Sequence, residues 1–239
     1  MKKKILIAVS IIAFLTILVS LLYIFLEYLP EKRKEEEWAK AMQDYYNAKV
    51  DSYEEENERY APYEVDVAFI GDSLTDGYDL NAYYTDITVV NRGIGGDTTF
   101  GLEKRLEVSL YDLQPKVVVM LIGANNFKTM FENYENILIG LRDNLPNSKI
   151  VILSLTSMGK DWGKNNQLAA FNNVKIKALA EKYGYEYVDL YTPLLNMETN
   201  EIYESYTTDG GHLTPLGYQV VTAQVEPVLK GLLSEYSNP

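Results

Sequence analysis

The chain has 239 residues, 47 % of them hydrophobic and 23 % charged, an ordinary globular balance with length for one sizeable core plus an appendage. Its formal net charge is −12, and basic residues cluster only around the first hydrophobic segment; duplex binding needs grouped Lys and Arg to displace counterions, so no nucleic-acid partner is expected. There is no cysteine and one histidine, His212, which excludes thiol nucleophiles, disulfides, Cys-ligated zinc and multi-histidine metal sites, and leaves one residue for any imidazole chemistry.

Ile5 to Leu26 is a run of 22 residues without a charge, preceded by Lys2, Lys3 and Lys4. As a helix it would reach about 33 Å, against about 30 Å of bilayer hydrocarbon. Cleavable signal peptides have a shorter apolar stretch and a small-residue cleavage site, whereas this run ends in Tyr23-Ile24-Phe25-Leu26. The expectation is an uncleaved, single-pass anchor in the cell membrane over residues 5–26, with residues 1–4 as a cytoplasmic tail. Positive charge flanks both ends almost equally; an inside N-terminus is favoured because the reverse would export a triply basic tail.

Glu31 to Tyr60 is dense in charge, and Trp38, Ala41, Met42, Tyr45, Tyr46, Val50 and Tyr53 follow roughly helical spacing. That predicts a solvated helical stalk over residues 27–61. Ala61-Pro62 then breaks the pattern, placing a folded domain at residues 62–239.

Within that domain, Val65–Ile70, Thr88–Val90, Lys116–Ile122, Ile150–Leu155 and Tyr187–Leu190 read as strands covered on both faces. Thr98–Leu113, Phe131–Leu145 and Gln167–Tyr183 carry helical periodicity, and Tyr183-Gly184 supplies a helix stop. Pro215 to Tyr236 reads as a last helix, with Thr214 as N-cap and Pro215 at the first position. The alternation predicts a three-layer α/β domain around a parallel sheet. Ligands in such sheets bind beyond the carboxyl ends of the strands. The loops of interest are therefore Gly71–Gly77, Asn91–Asp97, Gly123–Asn126 and Thr156–Asn166.

Four of these features have functional and plain readings side by side. Ser73, after the first strand, fits an exposed nucleophile and equally a turn or N-cap serine; Thr75 breaks the G-x-S-x-G elbow. The glycines of Asn91-Arg92-Gly93-Ile94-Gly95-Gly96-Asp97 fit backbone N–H groups aimed into a cleft, or a simple tight turn. Neither the Walker nor the dinucleotide pattern is met there. Asn125 fits an oxyanion donor or a turn cap. Asp209 and His212, three apart on a glycine-rich turn, fit a carboxylate orienting an imidazole, or a structural histidine.

Taken together and in order, Gly-Asp-Ser-Leu at 71–74, Gly93, Gly-x-Asn at 123–125 and Asp-x-x-His-Leu at 209–213 resemble the SGNH/GDSL hydrolase superfamily, over roughly Val65 to Tyr236. The resemblance implies a flavodoxin-like five-stranded parallel sheet and a cofactor-free serine ester hydrolase. It implies Ser73 as nucleophile, His212 as base then acid, and Asp209 as its orienting carboxylate. It assigns the oxyanion hole to the Ser73 and Gly93 amides and the Asn125 side chain. One departure is visible: many relatives carry Asp where this chain has Asn126.

The short domain leaves little length for a lid, so short acyl groups are expected, acetyl esters above all, with O-acetylated envelope carbohydrate as one source. Trp162, after the fourth strand, could stack on a sugar ring or simply pack its loop. Transfer of the acyl group to an envelope sugar, and a catalytically silent tethered binding module, are the rival readings.

Overall fold

The computed structural model describes residues 2–237. Met1 of the expected tail and residues 238–239 of the expected domain lie outside the described residues. Two compact units divide at Ala48/Lys49.

In the first unit, helix α1 (Lys2–Tyr23) passes through one π-helical turn, Ile24–Tyr28, into helix α2 (Leu29–Asn57). Pro30 explains the widened turn. It has no N–H to give to the carbonyl four residues back, and its ring would clash there; the Leu29 amide reaches the Ile24 carbonyl instead. The apolar stretch is exposed along its length, Leu6 and Phe14 by 71 % and 65 %. By length and composition this helix is apolar enough to cross a membrane.

The second unit begins at Lys49, thirteen residues before the expected boundary at residue 62. The last two turns of α2 pack on it: Tyr53 is 3 % exposed. The predicted solvated stalk over 27–61 is thus corrected at its C-terminal end. Its periodicity was read as helix without showing that one face is buried.

The sheet contains β1 (Val67–Gly71), β2 (Val89–Gly93), β3 (Val117–Leu121), β4 (Lys149–Leu153) and β5 (Glu186–Val188). All pairs are parallel, in the order β2-β1-β3-β4-β5. This is the flavodoxin-like order, with the chain reversing direction across the sheet between β1 and β3. Short helices α3 (Ser73–Asp76), α4 (Leu80–Tyr83) and α5 (Thr99–Lys104) follow the first two strands. Helices α6 (Tyr134–Asn144) and α7 (Asn166–Tyr183) flank β4, and α8 (Tyr191–Leu194), a two-residue hairpin pair and α9 (Pro215–Ser237) close the chain.

Successive strand residues point to opposite faces, so each strand feeds two cores. Ala68, Ile70, Val118, Met120 and Ile152 join Leu102, Ile137, Leu141 and Ile176 on one face. Val67, Phe69, Val119, Val151 and Leu153 join Leu74, Val221, Val225 and Leu229 on the other. Complete burial of each such side chain stabilises the fold by about 1.5–3 kcal/mol. As expected, Thr214 caps α9, its hydroxyl accepting the Gly217 amide at 3.2 Å.

The predicted single helix Thr98–Leu113 is divided. It stops at Lys104 and resumes as a π-helical turn at Glu107–Tyr111, because Arg105 leaves helical geometry (φ −111°, ψ 9°) and turns beneath the strand ends. The predicted loops Gly71–Gly77 and Thr156–Asn166 also contain helix: α3 in the first, a 3₁₀ stretch over Lys160–Asn165 in the second.

Candidate active site

Asp72 ends the turn after β1 and caps α3, its Oδ1 accepting the Leu74 amide at 3.1 Å. This puts Ser73 at the first position of α3, half-buried at the carboxyl rim of the sheet. First-turn amides have no partner within their own helix, so the Ser73 N–H is not used by α3.

His212 and Asp209 arrive on the loop before α9. The loop closes on itself: Thr207 Oγ1 donates to the His212 carbonyl at 2.7 Å and accepts the Gly210 amide at 2.8 Å. Gly210 has φ +96°, and a Cβ there would lie 2.1 Å from the Gly159 carbonyl oxygen. Only glycine fits, and the loop is pinned to the segment after β4 by the Gly159 amide donating to the Gly210 carbonyl at 2.8 Å.

Across this rim, Ser73 Oγ lies 3.0 Å from His212 Nε2, and His212 Nδ1 lies 2.7 Å from Asp209 Oδ2. The other Asp209 oxygen accepts the Gly211 and His212 amides at 2.9 and 2.8 Å. Burial alone would raise the Asp209 pKa; those amides and the imidazole outweigh it and hold it at about 2. The carboxylate can then only accept, so the imidazole proton sits on Nδ1 and the Nε2 lone pair faces the serine hydroxyl.

Trp162, 37 % exposed, stands edge-on to the His212 ring with centroids 6.4 Å apart. Its indole also lies over Gly211, where a Cβ would come within 3.2 Å of it. Asn125, exposed on the loop after β3, donates through Nδ2 to the Asp97 carbonyl at 2.8 Å. Asn126 is tied to α5: its Oδ1 accepts the Thr99 amide at 3.3 Å and its Nδ2 donates to Thr99 Oγ1 at 2.9 Å. An aspartate could not donate this second bond, and the Thr99 hydroxyl proton is already given to Asn133 Oδ1 at 2.7 Å.

Gly93 is placed otherwise than expected. It ends β2, is buried, and its amide donates to Asn91 Oδ1 at 2.8 Å while its carbonyl accepts from Tyr53 at 2.6 Å. A Cβ there would meet the Asp76 nitrogen at 2.2 Å, so the glycine serves close packing of β2 against α3. Its amide is not available to an oxyanion. Gly96, three residues on, is exposed with φ +76° and adjoins Asp97, whose carbonyl holds Asn125.

The roles of two residues have no sign in the local sequence, those of half-buried Asn91 and buried Arg105. Asn91 stitches β2 to the turn after α3, donating to the Thr75 and Tyr78 carbonyls at 2.7 and 3.1 Å. Arg105 donates to Asp97, to the Arg92 and Gly71 carbonyls and to Ser109.

Asp72 is 1 % exposed, and its Oδ2 has no hydrogen-bond partner. Burial pushes its pKa up from 3.8 to about 7. An unfolded chain releases this proton near pH 4 while the fold retains it to about 7, so folding stability falls as pH rises through that window. Against Asp72→Asn, the wild type is expected to lose melting temperature between pH 5 and 8; parallel curves for the two proteins would contradict the assignment.

The profile of the GDSL-like Lipase/Acylhydrolase family matches residues 69–220. Platelet-activating factor acetylhydrolase IB subunit alpha2 of Rattus norvegicus is 28 % identical over 192 residues, covering 72 % of this chain and 79 % of its own. A solved structure from Streptococcus pneumonia, provisionally described as a platelet activating factor, superposes with TM-score 0.75 at 25 % identity, over 83 % of this chain and 99 % of its own. An acetyl xylan esterase from Geobacillus stearothermophilus shares the fold, with TM-score 0.58 at 19 % identity over 70 % and 95 % of the two chains.

Proposed function

For a chain that belongs to the GDSL-like lipase/acylhydrolase family and is a carboxylic ester hydrolase, we propose a membrane-anchored acetylesterase that works through Ser73, His212 and Asp209. The observation that carries this reading is the unbroken hydrogen-bonded line from Ser73 Oγ through the imidazole to Asp209, at 3.0 and 2.7 Å.

In the proposed reaction Ser73 Oγ attacks the ester carbonyl carbon as its proton passes to His212 Nε2. The imidazolium that forms is stabilised by Asp209. The C–O bond to the alcohol then breaks, and His212 returns the proton to that oxygen, leaving an acyl-serine. Water attacks this ester, its proton taken by His212, and collapse releases the carboxylic acid and restores the serine hydroxyl. The oxyanion is held by the Ser73 amide, the Asn125 side chain and the Gly96 amide, which replaces Gly93 in this role.

Asp209 and His212 side chains are each 47 % exposed. That supports an open site suited to short acyl groups carried on a bulky alcohol. The acetyl group named for the rat relative points the same way. Trp162 against His212 offers an apolar face to a sugar ring. A cavity of about 300 Å³ lined by Lys160, Asn196, Thr199, Glu201 and Glu204, with Lys160 two residues before Trp162, offers polar partners to hydroxyls. O-acetylated carbohydrate of the cell envelope is therefore the proposed substrate. The apolar helix within residues 5–26 is its tether, with the enzyme outside the membrane and residues 1–4 inside.

Full-length protein should release p-nitrophenol from the acetyl ester faster than from octanoyl or longer esters. Asn125→Ala should lower kcat by about 10²–10³-fold, the cost of one lost oxyanion donor. An unchanged rate in that variant removes Asn125 from the site. Product analysis with an acceptor sugar present separates the hydrolase, which yields acetate, from an acyltransferase, which yields the acetylated sugar.

A further inference from the structure

The last two turns of α2 send four side chains from one helical face into the domain, Lys49, Tyr53, Glu56 and Asn57, spaced i, i+4, i+7 and i+8. Their targets lie on the segments that build the proposed oxyanion site. The Tyr53 hydroxyl, buried, donates to the Gly93 carbonyl at 2.6 Å. Lys49 Nζ sits 2.8 Å from Asp76 Oδ1, and Asp76 Oδ2 accepts the Gly95 amide at 3.0 Å. Asp76 is also the last residue of α3, the helix headed by Ser73. One lysine therefore braces both the helix that carries the nucleophile and the loop at 93–96.

A charge seated beneath this loop strengthens the link. The Arg92 side chain is fully buried. Its guanidinium pairs with Glu56, donates to Asn57 Oδ1 at 2.9 Å and lies 4.7 Å from the Tyr53 ring centroid. A desolvated guanidinium tolerates little displacement of its partners. The helix end and the strand end are accordingly held in one register.

From this we infer that Tyr53 and Lys49 are positioning residues of the active site, through which the helix leading to the membrane segment sets the backbone of the 93–96 loop. Gly93 is held at its carbonyl and Gly95 at its amide. The peptide that presents the Gly96 N–H follows directly, with little rotational freedom left. The inference rests on the proposed role of Ser73 and of this loop. It makes the end of the stalk part of the enzyme rather than a spacer.

The test uses full-length protein in detergent micelles, p-nitrophenyl acetate as substrate and a fluorophosphonate to count competent serines. Tyr53→Phe and Lys49→Met should each lower kcat roughly five- to ten-fold, the scale of one lost hydrogen bond, with KM within about twofold and the number of labelled serines unchanged. Lys49→Arg should restore most of the rate, and Glu54→Gln, on the exposed face of the same helix, should match wild type. Wild-type kcat in both Tyr53→Phe and Lys49→Met, even with lowered melting temperature, overturns the inference and leaves the helix end as packing alone. If Tyr53→Phe does not accumulate folded, Lys49→Met with its arginine rescue decides the question. Failure of the underlying site looks different: wild type and Ser73→Ala would then hydrolyse the ester equally.

Discussion

Ser73→Ala is expected to lower turnover of p-nitrophenyl acetate by about 10⁴–10⁶-fold and to abolish fluorophosphonate labelling. Alanine removes the oxygen that His212 Nε2 faces at 3.0 Å, so no acyl-enzyme can form at this position. The proposed oxyanion donors and the imidazole remain, which is why some rate above water should survive. Ser73 is only half-buried, and among the described residues its hydroxyl bonds to His212. The melting temperature should therefore stay close to wild type, separating lost chemistry from lost folding. Labelling that persisted in the alanine variant would place the nucleophile at another residue.

The largest effect on stability is expected at Arg105. Its side chain is 1 % exposed and pairs at 2.8 Å with Oδ2 of Asp97, whose side chain is itself 3 % exposed. It also satisfies the carbonyls of Arg92 and Gly71, both at 2.9 Å. Burial raises the Asp97 pKa, and the Arg105 charge acts against that rise. Arg105→Met would leave a buried carboxylate without its charged partner and take the guanidinium donor from the Arg92 carbonyl, while the Gly71 carbonyl would keep only the Ile94 amide at 3.1 Å. Removing one member of a buried pair costs about 3–5 kcal/mol. For a domain of this size that is a fall of roughly 10 °C in melting temperature. Adding Asp97→Asn should recover part of the loss, because no unpaired charge remains. A change below about 1 kcal/mol for the single variant would mean that the guanidinium is dispensable.

These two residues differ in how they present themselves in the linear chain. Ser73 stands in Gly-Asp-Ser-Leu directly after a run of apolar residues, so its position at a strand end is local information. Arg105 sits among helix formers like any surface arginine. Its role depends on β1 and β2 ending beside it. The carbonyl groups that it holds on those strands lie 34 and 13 residues away from it along the chain. The same contrast separates Asp209 and His212, three residues apart on a self-closed turn, from Gly93. The glycine pattern of 93–96 was visible, but which of its amides is spent on Asn91 depends on how β2 packs beneath α3.

The order of elements, the apolar strand runs, the final helix with its Thr214 cap and the Asp-x-x-His turn were determined by the sequence alone, because periodicity and capping act over a few residues. The tertiary structure decided where the domain begins, which side chains brace the strand ends and that the Gly93 amide is spent on Asn91. Lys49 and Arg105 carry no local sign of the partners that they meet. A charged or hydroxylated side chain is desolvated only when partners from distant segments supply its hydrogen bonds, and those partners meet only in the folded chain.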